Sequence, residues 1–297
     1  MSENEPFRLD IRRVRESFDR ASGRYEASAV LQARVNDELI ERLSLIRLDP
    51  KVVLDLGAGT GRGAASLKRR YRRALVIATD IAPGMLREAK RHQRFLRRFE
   101  RVCADAMRLP LRNECVDLIV SSLMLQWCDD LDAAFAEAHR VLRPGGFFAF
   151  STFGPDTLRE LRAAWAAADG YNHVNRFLDM HDLGDALVRA GFVEPVLDVE
   201  RVQLTYTDVF ALMRDLKTIG AHNVTEGRAR GLTGRRRIER VREAYEAFRG
   251  ADGRLPATYE IVYGAAWAAE HRPAARVVGG EVRISPEQIR RSSRQSG

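Results

Sequence analysis

One stretch constrains this chain more than any other: Val52-Val53-Leu54-Asp55-Leu56-Gly57-Ala58-Gly59-Thr60-Gly61-Arg62-Gly63. A short apolar run ends in an acid, and a glycine loop then opens a helix. Only glycine lets a backbone turn this sharply off a strand and still admit a ligand close to the main chain. An aspartate at the strand tip suits a ligand that carries a cation or hydroxyls. A phosphate-cradling GxxxxGK[ST] loop would need a lysine, which is absent here.

Two ligand classes fit the loop. Counted from Gly59, the pattern Gly59-x-Gly61-x-x-Ala64 loosely matches the dinucleotide fingerprint. Counted from the strand end, Asp55-x-Gly57-x-Gly59-x-Gly61 resembles the first motif of class I S-adenosylmethionine-dependent methyltransferases. A tight turn that binds nothing would use the same glycines, so the residues downstream decide. Leu75 to Asp80 reads as a second strand ending in an acid, placed where a carboxylate accepts ribose hydroxyls in either class. A third acid, Asp105, ends the strand-like run from Arg101 and is followed by Ala106-Met107. In the methyltransferases the matching acid meets the adenine amino group, so this residue discriminates.

A fourth strand, Val116 to Ser122, leads into Leu123-Met124-Leu125-Gln126-Trp127, and helix 131–142 precedes a fifth strand, Phe147 to Phe153. Strands and helices alternating at this spacing predict a doubly wound parallel sheet. A helix is expected to open at Gly154-Pro155-Asp156 and run to about Ala168, and helix 180–190 to precede a sixth strand from Phe192 to Val199. A seventh strand, Tyr259 to Trp267, comes only after a long interval with helices at Asp208–Leu216 and Arg235–Phe248. An insertion of that size beside the ligand edge reads as a substrate lid. The expected fold is therefore α/β: a Rossmann-like seven-stranded sheet, mostly parallel with its last strand antiparallel. Residues 1–50 form an N-terminal helical cap, 51–204 with 256–270 the cofactor-binding core, 205–255 the lid, and 271–297 a disordered tail.

Composition narrows the setting. With 45% hydrophobic and 30% charged residues the chain reads as globular, and no apolar run is long enough to span a bilayer. The N-terminal residues lack the basic-then-apolar layout of a signal peptide. Cys103, Cys115 and Cys128 lack metal-ligand spacing, which suits a reducing cytoplasm and assigns no metal. The formal charge of +8 is concentrated at 62–101 and 214–242. Such surfaces attract polyanions or acidic proteins. They lack interleaved aromatics for stacking bases, so no specific nucleic acid is expected.

Beyond the sheet motifs, the chain to about residue 268 resembles the malonyl-[acyl-carrier protein] O-methyltransferase family of biotin synthesis. The resemblance rests on Phe18-Asp19-Arg20-Ala21 with Tyr25 and Val30-Leu31-Gln32, and on Ser151-Thr152-Phe153-Gly154-Pro155-Asp156-Thr157-Leu158 with Asn175-Arg176-Phe177. It rests also on Leu212 to Ala221, Glu226-Gly227-Arg228 and Leu255-Pro256-Ala257-Thr258-Tyr259. The arginine-rich run from Lys68 to Arg101 belongs to no motif of that family. A complex I assembly factor with arginine hydroxylase activity shares the Phe153-Gly154 and Leu255–Tyr259 regions and is the rival resemblance.

The resemblance implies methylation of the free carboxylate of a malonyl group carried on acyl carrier protein through phosphopantetheine. It further implies that Asp55, Gly57, Gly59 and Gly61 hold the methionine part of S-adenosylmethionine, Asp80 the ribose and Asp105 the adenine amino group. Ile81, Met85, Ala106 and Met107 would enclose the adenine, Tyr25 and Gln32 would close over the cofactor, and Ser121 and Trp127 would border the methyl group. Arg176 is the first candidate to clamp the substrate carboxylate, because arginine offers two parallel donors. Lys217 and Arg228 are the next candidates for that clamp or, alternatively, for the carrier arm or acidic carrier side chains, and Arg235-Arg236-Arg237 are candidates for the carrier surface.

Overall fold

The computed structural model describes residues 9–95, 97–169, 177–219 and 234–270, and two short strands beyond them. Its centre is a seven-stranded sheet of β1 (Val52–Leu56), β2 (Leu75–Asp80), β3 (Glu100–Cys103), β4 (Val116–Ser122), β5 (Leu142–Phe153), β6 (Phe192–Tyr206) and β7 (Leu255–Ala268). The order across the sheet is β3-β2-β1-β4-β5-β7-β6. β1 to β5 pair in parallel, and β7 lies antiparallel between β5 and β6. The chain winds from β1 towards β3 on one side and from β4 onward on the other. The strand order therefore reverses between β1 and β4, and a crevice opens beyond their carboxyl ends.

The central strands are apolar on both faces because helices cover both. β1 has four successive buried residues, Val53 to Leu56. One face is covered by α3 (Val30–Arg42), α4 (Arg62–Arg70), α7 (Arg159–Ala168) and α10 (Arg235–Glu246). The other packs on α6 (Leu131–Val141) and α8 (Met180–Arg189), through Phe135, Phe148, Phe150 and Leu187.

The expected helical N-terminus is broken into α1 (Ile11–Ala21), α2 (Tyr25–Ser28) and α3, with a 3-10 turn at Ser22–Arg24 and a break at Ala29. The helix expected from Gly154 begins only at Arg159, as α7. Residues 154–158 form a turn that β7 organises. Gly154 and Asp156 donate their backbone N–H groups to the carbonyl and carboxylate of Glu260, at 2.9 and 2.8 Å. Thr157 Oγ1 donates to the same carbonyl at 3.0 Å. A Cβ at Gly154 would lie 2.7 Å from Glu260 Oε2, so the side chain that builds the turn also requires the glycine.

β6 runs on to Tyr206, past the expected Val199, because β7 pairs along its length as far as Tyr206 with Leu255. The insertion between them is correspondingly shorter, and carries α9 (Val209–Thr218) and α10. Arg237, expected on a carrier-facing surface, is instead paired with Asp169 at the end of α7 at 3.1 Å. Most of the tail expected to be disordered lies outside the described residues. Within it, β8 (Val277–Val278) and β9 (Glu281–Val282) pair antiparallel, contrary to that expectation.

Gly264 marks the closest packing of the sheet. It sits opposite Phe150 on β5, and a Cβ there would lie 2.2 Å from Phe150 Cζ. Phe150 is fully buried against Phe135 and Phe148 and cannot retreat. Gly264→Ala should therefore destabilise by ~1–3 kcal/mol through overpacking. Gly23→Ala, where nothing lies within 4 Å, serves as the control. Denaturant unfolding of both variants measures the difference, and equal midpoints would contradict the packing argument.

Candidate active site

The glycine loop leaves β1 at the crevice. Gly57 and Ala58 donate to the Thr79 carbonyl at 2.9 and 2.8 Å, which clips the loop to β2. Gly57, Gly59 and Gly61 all have positive φ. They serve different purposes. A Cβ at Gly57 would meet Met124 Cγ at 2.1 Å, so Gly57 lets the turn after β4 close in. Gly59 has open space beside it and lines the cavity, leaving its backbone approachable. Gly61 packs against Ala89 of α5 (Pro83–Ala89), where a Cβ would lie 2.7 Å from that residue's Cβ. It is not among the residues of the cavity wall. Packing against Ala89 is therefore what requires a glycine at position 61.

Two connected hollows share Tyr25, Gln32, Gly57, Gly59 and Ser122. The first extends past Asp80 to Ile81, Met85, Asp105, Ala106 and Met107, the acid and apolar wall expected at an adenine end. Asp80 accepts from the backbone N–H groups of Gly59 at 2.9 Å and Ala82 at 2.8 Å, which aims its carboxylate across the loop. Asp105 accepts from Met107 N at 2.9 Å. The second hollow is lined by Asp55 and Asn36. Asp55 Oδ2 is buried without a hydrogen-bond partner. Burial drives the Asp55 carboxyl up to about 7, with the charge of Asp80 adding to it. Burial likewise lifts Asp80 to about 6, against the pull of its backbone donors.

A helical cap roofs both hollows. Asp19 of α1 accepts from Gly84 N, and Gly84 has no room for a side chain because Asp19 and Ser22 fill that space. Phe18 meets the Trp127 ring edge-on, with centroids 5.1 Å apart. Glu26, beside Tyr25, accepts from Thr60 Oγ1 at 2.8 Å and pairs with His92. These contacts explain the sequence Phe18-Asp19 and hold Tyr25 and Gln32 over the loop. Burial pushes the Tyr25 hydroxyl well above its ordinary range, so it remains a neutral donor.

The far wall comes from the ends of β4 and β5. Ser121, expected to border the methyl group, is fully buried and donates to the Leu56 carbonyl at 2.9 Å. Alternation along the strand presents its neighbour Ser122 to the cavity instead. Trp127 and Phe153 do line it, joined by Gln126 and by Ile219, which follows α9. Lys217 is exposed in the last turn of α9, two residues before Ile219. Arg176 and Arg228 lie outside the described residues. Sequence reasoning did not single out Ser122, Gln126 or Ile219 as site residues. The signal for the first two was their position at the end of β4 and in the turn that follows it, beside the reversal of strand order.

The residues present fit S-adenosylmethionine. The unpartnered Asp55 oxygen suits its ammonium group, Asp80 its ribose hydroxyls, and Asp105 with the apolar wall its adenine. Residues 54–150 match the methyltransferase domain family. The fold agrees with the YcgJ protein of Bacillus subtilis, at TM-score 0.56 and 15% identity over 80% of this chain and 99% of that one. It agrees also with a methyltransferase-fold protein of Bacillus halodurans, at TM-score 0.55 and 18% identity over 78% and 99%. Fold and site together define a class I S-adenosylmethionine-dependent methyltransferase. Among curated relatives, malonyl-[acyl-carrier protein] O-methyltransferases of a Methylovorus species and of Laribacter hongkongensis are 53% and 56% identical. Those alignments cover 95% and 92% of this chain, and 95% and 93% of the relatives. The chain belongs to the malonyl-[acyl-carrier protein] O-methyltransferase family.

The raised carboxyls give cofactor binding a pH dependence. In the free protein both carboxyls hold their protons to higher pH than in the unfolded chain. Their contribution to stability is complete below the ordinary aspartate range and is lost as pH rises through about 6 to 7. A ligand that brings a cation and hydroxyl donors favours the ionised forms. Binding should therefore release protons near pH 6.5, and the cofactor-induced rise in Tm should grow between about pH 5 and about pH 8. Calorimetry in two buffers of different ionisation enthalpy reads the proton count directly. Proton uptake would contradict this account of the two carboxylates.

Proposed function

We propose that this protein methylates the free carboxylate of a malonyl thioester on acyl carrier protein, an early step of biotin synthesis, in the cytoplasm. The observation that carries this reading is the similarity to enzymes of that name over nearly the whole chain, cap and insertion included. S-adenosylmethionine supplies an electrophilic methyl group on a positively charged sulfur. A carboxylate oxygen attacks that carbon in line, forming the O–C bond while the C–S pair returns to sulfur, and no proton moves.

The described cavity lining suits such chemistry. The first hollow holds no histidine, lysine or arginine among its described lining residues, and we assign its acids Asp80 and Asp105 to the cofactor. A carboxylate, with a reference pKa near ~4, is already ionised at neutral pH and requires no general base. The protein's task is alignment and exclusion of water, and positioning of this kind contributes on the order of 7–11 kcal/mol. The cap and the apolar wall of Phe153 and Ile219 provide both. We read α9 with Ile219 as the inner face of a lid and exposed Lys217 as part of its rim, where a carrier would rest.

Intact-mass spectrometry of malonyl-acyl carrier protein with enzyme and S-adenosylmethionine should show the gain of one methyl group, with none on acetyl-acyl carrier protein. No gain despite cofactor binding would favour the assembly-factor reading. Lys217→Glu should raise KM for the carrier substrate about tenfold, more at low salt, as rim charges act on encounter. Its cofactor affinity should match wild type, and an unchanged KM would remove Lys217 from the rim.

A further inference from the structure

The residue that meets the substrate carboxylate can be argued from the turn after β4. Leu123 has φ +48°, a left-handed conformation that costs energy in a branched aliphatic residue and persists only where its surroundings enforce it. Here they do. Leu123 N donates to the Ser151 carbonyl at 2.9 Å and to Ser151 Oγ at 3.2 Å. The Leu123 carbonyl accepts from Gln126 Nε2 at 2.7 Å. Thr152 Oγ1, from the next residue of β5, donates to Gln126 Oε1 at 3.2 Å. A backbone carbonyl only accepts, so it faces the amide nitrogen and the oxygen faces Thr152. Both ends of the carboxamide are thereby fixed, and one Nε2 hydrogen remains beyond the Leu123 bond.

Gln126, Phe153 and Ile219 line the first hollow and not the second; Gln126 follows β4 and Phe153 ends β5, whereas the adenine wall follows β2 and β3 across the strand order. Among the other donors of that lining, Thr79 Oγ1 donates to the Asp55 carbonyl at 3.2 Å. Tyr25, Gln32 and Ser122 also border the second hollow beside Asp55. An anion placed nearer the adenine end would face Asp80 and Asp105. We propose that Gln126 is the neutral hydrogen-bond donor that orients the acceptor carboxylate for methyl transfer. The inference rests on the malonyl-carboxylate reading and adds to it the group that holds the nucleophile.

Chemistry favours a neutral donor here. The attacking oxygen begins with negative charge and ends in an uncharged ester. A cation against that oxygen would bind the ground state more tightly than the transition state and slow the step. A bare apolar wall would leave a dehydrated anion without a partner. An amide N–H avoids both penalties and fixes the plane of the carboxylate.

The test compares wild type with Gln126→Leu, Gln126→Glu and Thr152→Val. Gln126→Leu should lower kcat/KM for malonyl-acyl carrier protein about 10- to 100-fold, the range for a hydrogen bond to a charged group. Calorimetry with S-adenosylhomocysteine present should show weaker binding of the malonyl form and unchanged binding of the acetyl form. S-adenosylmethionine affinity should stay within about twofold of wild type, which also reports that the variant is folded. Gln126→Glu should recover activity as pH falls, because only the protonated side chain can donate and the ionised one repels the substrate. Thr152→Val, which frees the carboxamide to turn, should cost less than Gln126→Leu. Full activity in Gln126→Leu, an equal loss of cofactor affinity, or a wild-type pH profile in Gln126→Glu would each overturn the assignment. Failure of wild type to methylate the malonyl carrier would instead remove the reading on which it rests.

Discussion

Two carboxylates at neighbouring strand tips, Asp55 buried and Asp80 half-buried, set the terms for the rest of the molecule. Asp55 ends within β1 and Asp80 closes β2, and both lie where water cannot solvate them well. Burying a carboxylate is costly unless donors surround it. Asp80 obtains two from the glycine loop and the turn after β2. Asp55 keeps an oxygen without a partner. That incomplete satisfaction gives a ligand carrying a cation and hydroxyls a binding free energy that the folded scaffold has left available. The glycine loop follows from the same demand, since its backbone must reach both Asp80 and the ligand. The cap follows too, because it keeps water from competing for these groups.

The acceptor end obeys a different constraint. β7 is placed between β5 and β6 although it comes last in the chain, so its residues stand directly beside the end of β5. Glu260 uses that proximity to fold residues 154–158 into a turn before α7 can begin. Tyr259, one residue away, packs against Phe153, with ring centroids 5.8 Å apart. The inserted segment leaves β6 at Tyr206, which pairs with Leu255 of β7 and whose hydroxyl donates to Asp215 of α9 at 2.9 Å. One antiparallel strand thus shapes the wall of the cavity and, through its pairing with Tyr206, the root of α9. A plain parallel continuation could not do both.

How much of this was legible depends on whether the determinant is local. The strand-tip acids and the glycine loop are, because a strand ending, an acid and a turn occupy adjacent positions in sequence. Asp55, Asp80 and Asp105 accordingly stand along the two hollows at the strand ends. Ser121 was misjudged by one residue, because alternation along a strand decides which serine faces a cavity and no local pattern sets that phase. Gly61 has the same composition signal as Gly59, yet Ala89 from a distant helix decides its role. The late start of α7 and the pairing of Arg237 with Asp169 are likewise tertiary facts. The unexplained basic run is partly of this kind. Arg70 and Arg101 donate to the carbonyls of Leu43 and Leu86, and Lys68 to that of Ala74. These residues close off helix ends and loops, so their charge is in part a structural device.

Charge is distributed in the site according to what each part of the reaction requires. Anions line the cofactor end, where a cation must be held. Among the described residues the first hollow carries no cationic side chain in its lining, although the chain is rich in arginine, and exposed Lys217 stands outside it. An acceptor that loses its negative charge as it reacts gains nothing from a cation at the reacting oxygen, whereas a large acidic partner gains attraction from cations at the rim. Attraction can then act on encounter without acting against the chemical step. Between the two regions stands a carboxamide fixed at both ends, the kind of group that orients an anion without neutralising it. The strain at Leu123 is the conformational cost of holding it there, and it is sustained by the Ser151 contacts that join β4 to β5.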